Sequence, residues 1–70
     1  MPITKHMILA IKQAMENAGL STHAALAEES GVRRPTITDL LNGRQKDVRL
    51  STLQKIAKAC RCKVADLLGE

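Results

Sequence analysis

Basic side chains are concentrated in one short stretch of this sequence. Five of the eleven lysines and arginines fall within 17 positions, where the opposing carboxylates are Asp39 and Asp47. The five cations are Arg33, Arg34, Arg44, Lys46 and Arg49. Guanidinium and ammonium groups at this density attract polyanions, and the whole chain has a formal net charge of +4. The stretch therefore predicts a polyanionic partner, and an ordinary solvated face is the alternative.

Other kinds of chemistry find little support in the sequence. It has no phosphate-binding glycine loop, no nucleophile placed beside a base and no paired carboxylates, so we expect no enzyme activity and no cofactor. Cys60 and Cys62, together with His6 and His23, lack the spacing of zinc ligands. We expect no metal, with both cysteines packed as small apolar residues. The chain has no Phe, Tyr or Trp, which argues against binding single strands by base stacking.

Cysteine usage and hydropathy give expectations about location. Two closely spaced cysteines are too few for a disulfide framework, and no signal peptide opens the sequence. No apolar run approaches the roughly 20 residues of a membrane span. We expect a reduced, cytoplasmic protein with no membrane partner.

Helical periodicity predicts the elements that position the basic stretch. A first helix is expected from about Lys5 to Ala18, with Thr4 as its N-cap and Gly19 as its end. Ser21 or Thr22 should cap a second helix whose inward side carries Ala24, Leu26 and Ala27. Gly31 should end that helix, because the turn that follows needs a positive φ.

The third helix is expected directly after this turn. Pro35 suits its first turn, and Arg34 is expected as the cap because a residue before proline avoids the α region. Its buried face should hold Ile37, Leu40 and Leu41. The opposite face should hold Pro35, Thr38, Asp39 and Asn42. A basic connection from Arg44 to Arg49 follows.

Two further helices complete the expected fold. An apolar stripe predicts the fourth helix, whose start has capping-box spacing at Ser51 and Gln54. The stripe consists of Leu50, Leu53, Ile56, Ala57 and Cys60. After a turn at Arg61, the fifth helix should bury Val64, Leu67 and Leu68. The prediction is an all-α, compact five-helix bundle, with residues 1–70 forming a single domain around a central helix-turn-helix.

The order of short motifs resembles a known family. The chain carries, in sequence, Gly-Leu-Ser, Leu-Ala, Gly-Val, Thr-Ile, Asn-Gly, a basic loop, Leu-xx-Ile-Ala and Asp-Leu-Leu. Together they resemble the phage-repressor/Cro-like (XRE family) helix-turn-helix domain, from about Met7 to Gly69. The resemblance implies a lambda-repressor-like fold whose third helix enters the major groove of double-stranded DNA. It also implies a homodimer on a two-fold operator, with the contact expected at the fifth helix and the turn before it.

The resemblance further implies a small prokaryotic or phage-type transcriptional regulator, most simply a repressor that occupies its operator. Such a protein would be nucleoid-associated when bound to DNA. The alternative is a protein-interaction module of the same fold, such as the antitoxin that binds a toxin partner.

The resemblance assigns roles to individual residues. His23 falls near the DNA backbone, with a solvated residue as the alternative. Arg33 is expected on phosphate and Arg34 on guanine. Base-reading positions are occupied by Pro35, Thr36, Thr38 and Asp39, although proline cannot hydrogen-bond a base. Asp39 would accept from a cytosine amine or orient a neighbouring arginine. Phosphate-contacting loop positions are occupied by Arg44, Lys46 and Arg49.

Besides Pro35, the chain departs from the family pattern in several places. The connection from Gly19 to Leu26 is one residue longer than usual, which would shift the start of the second helix. Met15 and Leu41 are apolar where the family commonly has a buried ion pair, a coherent double exchange. Arg61 replaces the usual helix-ending glycine, at a cost of about 1 kcal/mol if it is left-handed.

Overall fold

A computed structural model describes residues 1–68 of the chain. Within them, five α-helices follow one another and no strand forms beyond one isolated β-bridge. The helices are α1 (Lys5–Asn17), α2 (His23–Ser30), α3 (Arg34–Leu41), α4 (Leu50–Ala59) and α5 (Val64–Leu67). This confirms the all-α fold class. Gly69, where the family resemblance ends, lies outside the described residues.

Threonine side chains fix the starts of the first two helices. The Thr4 Oγ1 accepts a hydrogen bond from the Met7 amide at 3.1 Å, as expected for an N-cap. The Thr22 Oγ1 accepts from the Ala25 amide at 3.0 Å, which selects Thr22 over Ser21 as the cap of α2. Helix α2 therefore opens with His23 as its first residue.

Three helices end in the same left-handed turn. After α1 and α3, Gly19 and Gly43 have φ values of 76° and 70°. After α4, the corresponding residue is Arg61, with φ 56°. In each turn, the next amide reaches back to the third residue from the helix end; for α4, the Cys62 amide donates to the Ala57 carbonyl at 2.9 Å. Arg61 thus adopts the conformation in which the family places glycine.

The turn between α2 and α3 is compact and internally bonded. Gly31 is its left-handed residue, with φ 73°, and its amide donates to the Ala27 carbonyl at 2.9 Å. The Ser30 Oγ accepts from the Val32 amide at 3.2 Å. Arg33 is then extended, with φ −60° and ψ 137°, and α3 begins at Arg34.

Aliphatic side chains, joined by Met7, Met15 and Cys60, form the core of the bundle. Helix α2 packs on α3 and α4, whereas α1 packs on α3 and α5. The fully enclosed side chains are Ile11, Leu26, Ile37, Leu40, Leu53, Ile56 and Leu67. Met15 and Leu41 are both buried in this core and line one groove of about 460 Å³. Because both positions are buried, the apolar residues avoid the cost of burying the ion pair that the family commonly has there.

Several details of the sequence prediction were wrong. Arg34 is the first residue of α3 rather than its cap; Pro35, at the second position, still lies where helical amides lack partners. Ala24 is exposed, not inward. Leu50, the first residue of α4, is 50% exposed, whereas Leu53 on the same stripe is fully buried.

The capping box predicted for α4 was also wrong. Arg49 is the N-cap and no side chain caps the helix, so Ser51 lies inside its first turn. The buried position at this end of the helix belongs to Val48, which is 5% exposed.

No described helix is both long enough and apolar enough to cross a membrane.

Candidate nucleic-acid interface

The start of α2 meets the outward side of α3. The His23 Nδ1 lies 3.4 Å from the Thr38 Oγ1, and both side chains are half-buried. This contact is possible because Thr22 fixes the first turn of α2 and Gly31 returns the chain toward it. Two positions that the family resemblance assigns to the backbone and to the bases are therefore adjacent in space.

Helix α3 presents a polar face above a buried one. Ile37, Leu40 and Leu41 are buried, whereas Pro35 is exposed and Thr36, Thr38 and Asp39 are half-buried. The three aliphatic side chains hold the helix against the core, so its remaining sides project outward. The predicted base-reading residues thus lie on or beside one accessible helix surface.

Two exposed arginines precede this surface. Arg33 occupies the extended N-cap position and Arg34 the first helical position of α3. Within residues 1–68, neither guanidinium has a carboxylate within ion-pairing distance. Both therefore remain available to an anion at the entrance of α3.

Asp39 lies beside a cation of the loop that follows α3. The Arg44 Nη1 is 3.9 Å from the Asp39 Oδ1, and the Arg44 amide donates to the Asp39 carbonyl at 2.9 Å. The two side chains are 72% and 44% exposed, so water screens the pair and its contribution to stability is small. Asp39 thus lies where it can orient Arg44.

Residues 44–49 form an exposed basic loop between α3 and α4. Arg44, Lys46 and Arg49 are all exposed, and the Arg49 carbonyl accepts from the first turn of α4. The backbone of this loop pairs with the first residues of the chain. The Ile3 amide donates to the Lys46 carbonyl and the Val48 amide donates to the Met1 carbonyl, each at 2.9 Å, around an antiparallel bridge of Pro2 with Asp47.

Sequence reasoning missed this pairing and the burial of Val48. Ile3 is half-buried and packs against the core, so the pairing has apolar side chains at both of its ends. The available signal was modest: one β-branched apolar residue in each segment, Ile3 and Val48.

The cysteines lie away from this surface. Cys60 is buried, and burial raises the pKa of its thiol, with a smaller contribution from the nearby Cys62. Burial also raises the pKa of Cys62, and the negative charge of Asp66 adds to the shift. A raised pKa favours the neutral thiol, which suits packing as a small apolar side chain. Residues 1–68 contain no cluster of three His, Cys, Asp or Glu side chains suited to a metal.

Comparison with known proteins identifies a relative of this chain. The chain is 42% identical over 43 residues to an uncharacterized HTH-type transcriptional regulator, YozG, of Bacillus subtilis (strain 168). The aligned segment is 61% of this chain and 51% of the relative, so the chain spans about half of that protein. No solved structure matches the chain.

The family comparison covers most of the sequence. The model of the Cro/C1-type HTH DNA-binding domain matches residues 10–69, which include all five helices except the start of α1. The match contains both arginines at the start of α3 and the whole basic loop. The chain therefore belongs to the Cro/C1-type helix-turn-helix DNA-binding family.

Proposed function

We propose that this chain binds double-stranded DNA with α3 in the major groove and acts as a transcriptional regulator. The observation that carries the proposal is the 3.4 Å contact between His23 and Thr38, which sets the start of α2 beside the outward face of α3. A helix fits the major groove, where base edges are distinguishable, while a second helix N-terminus faces the DNA backbone. Regulation by occupying an operator, as a repressor does, is the simplest mode.

The backbone contacts come from both ends of α3. Arg33 lies before the helix, and Arg44, Lys46 and Arg49 lie in the loop after it. The N-terminus of α2, opened by His23, adds unpaired amides and a favourable dipole for a phosphate. These groups supply affinity that is insensitive to base sequence and sensitive to salt.

Base choice is assigned to α3. Arg34 presents a guanidinium that suits the O6 and N7 of guanine, the commonest specific contact. Thr36 and Thr38 offer a hydroxyl to a base edge or a methyl to thymine. Pro35 contributes shape and apolar contact alone. Asp39 orients Arg44 and disfavours acceptor-rich base edges nearby.

We further propose that the chain binds as a homodimer. A domain of this size covers few base pairs, so specificity in a genome calls for two half-sites. We assign the contact between protomers to α5 and the turn before it, which lie apart from α3 in the sequence.

Selection of bound duplexes from a random pool tests the proposal. We expect an enriched half-site containing guanine, repeated with two-fold symmetry at a spacing of about one helical turn. A chain with Thr38→Ala should enrich a sequence altered at one position in each half-site. Enrichment of no sequence would contradict the assignment of α3 as a base reader, and one unrepeated half-site would contradict the dimer.

A further inference from the structure

The basic loop 44–49 obtains its backbone hydrogen bonds almost entirely from elsewhere in the chain. In the described residues, the backbone-to-backbone bonds of residues 45–48 run to Met1 and Ile3. The Arg44 amide donates to the Asp39 carbonyl near the end of α3, and Arg49 occupies the N-cap position of α4. Between these two points the loop has neither a helix nor a turn to hold its path.

The pairing segment is itself well anchored. Ile3 packs against the core, and the next residue, Thr4, caps α1. Val48, on the loop side, is a core residue. The two hydrogen bonds of 2.9 Å therefore join the loop to a segment whose own position is fixed by α1.

We propose that residues 1–3 act as a brace that holds the basic loop in the shape that contacts phosphate, and that Ile3 is its positioning residue. The inference rests on the proposed function of the loop cations. It goes beyond the family match, which begins at residue 10 and so does not include the brace.

The physical reason is preorganisation. A loop that is mobile in the free protein must be ordered when its cations meet phosphates, and that entropy is lost from the binding free energy. In a braced loop, this conformational entropy is already lost when the protein folds. In the described residues the brace bonds to the loop and not to the backbone of α3, so it should raise the affinity for every duplex without changing which sequence is preferred.

Ile3→Pro is the sharpest variant, because proline removes the amide that donates to the Lys46 carbonyl. Amide hydrogen exchange first reports the state of the brace. We expect the Val48 amide to lose protection while the amides of α2 and α3 keep theirs. Leu9→Ala is the matched control, since Leu9 lies on α1 and is 62% exposed; it should change neither exchange nor binding.

The second measurement is affinity for the selected duplex and for an unrelated duplex of the same length. Ile3→Pro should weaken both by roughly ten-fold and leave their ratio unchanged. Lys46→Ala should have a smaller effect in the Ile3→Pro background than in the unaltered chain, because a mobile loop no longer holds that cation in place. General destabilisation would not produce this coupling.

Two results would overturn the brace. One is loss of Val48 protection with both affinities unchanged; the other is a weakened selected duplex with the unrelated duplex unaffected. If Ile3→Pro fails to fold, Pro2→Gly decides the question, since it loosens the segment without removing a buried side chain or a donor. It should weaken both duplexes about two- to three-fold, and an unchanged affinity would refute the brace. Failure of the unaltered chain to bind either duplex would instead refute the proposed function.

Discussion

The α2–α3 unit and the basic loop 44–49 form one proposed surface, but they are held in place by different means. The α2–α3 unit is bonded within itself: Thr22 caps it, Ser30 and Gly31 close its turn, and His23 contacts Thr38. The loop instead depends on residues 1–3, which precede α1.

This difference separates two properties of the proposed interaction. The α2–α3 unit presents the residues assigned to base choice, so the base preference within one half-site depends on these two helices. The loop presents cations assigned to phosphate, so affinity depends on a distant segment as well. Changes at the two sites should therefore alter different measured quantities.

The largest expected effect comes from disrupting the core against which α3 packs. Met15→Arg places a cation in the core beside Leu41, and an unpaired buried charge costs about 3–5 kcal/mol of unfolding free energy. The melting temperature should fall clearly, whereas Met15→Leu, which nearly preserves volume, should cost less than about 1.5 kcal/mol. Adding Leu41→Glu to Met15→Arg should recover part of the loss. An unchanged melting temperature in Met15→Arg would show that the side chain escapes the core.

The second expected effect separates the two regions directly. Arg34→Ala should weaken the selected duplex by about 1–3 kcal/mol and unrelated DNA by less. Arg49→Ala should weaken both nearly equally and reduce the salt slope by about one. Titrations of each variant with both duplexes provide the measurement. If Arg34→Ala left the ratio of the two affinities intact, its assignment to guanine would be wrong.

A smaller effect concerns the left-handed turns that end α1 and α4. Arg61 has φ 56° in a position that favours glycine, so Arg61→Gly should raise the unfolding free energy by about 0.5–1 kcal/mol. Gly19→Ala is the opposite experiment: nothing lies within 4 Å of the added Cβ, so its loss of about 1 kcal/mol reflects backbone strain alone. Thermal unfolding measures both. Gly19→Ala should leave DNA binding unaltered, and a less stable Arg61→Gly would contradict the turn geometry.

The smallest effect is a dependence on alkaline pH. Burial raises the pKa of Cys60 above its ordinary value of 9.0, so the unfolded chain loses this proton first. The stability contributed by the neutral thiol is complete below pH 9 and declines as the pH rises through the folded-state pKa. Cys60→Ala should therefore show a shallower fall in unfolding free energy as the pH rises above about 9. An equal slope in both proteins would contradict the raised pKa.

The two regions also differ in how far the sequence predicts them. Leu26, Ile37 and Leu40 were identified because helical packing repeats at a fixed period along the chain. The turn at Gly31 and the caps at Thr4 and Thr22 follow from local residue chemistry. These local rules predicted the positions of α2 and α3, but they placed Ala24 inward and Arg34 at the cap, and both details were wrong.

The basic loop was less predictable because its structure depends on pairing between distant residues. A single β-bridge has no repeating pattern. The pairing of residues 1–3 with Lys46 and Val48 therefore cannot be recognised from the spacing of apolar residues. Leu50 fits the α4 stripe by angle, yet it is exposed. Periodicity indicates which side of a helix a residue lies on, but not whether a neighbouring helix covers it. The predicted site residues lie near one surface, and their contacts with DNA stay proposals.

The salt dependence of duplex binding tests the central claim most directly. If each protomer contacts about four to six phosphates, a plot of log affinity against log salt should have a slope of about −4 to −5 per protomer. The selected and unrelated duplexes should give similar slopes but different intercepts. A slope near zero, or no binding to duplex DNA at low salt, would contradict the account.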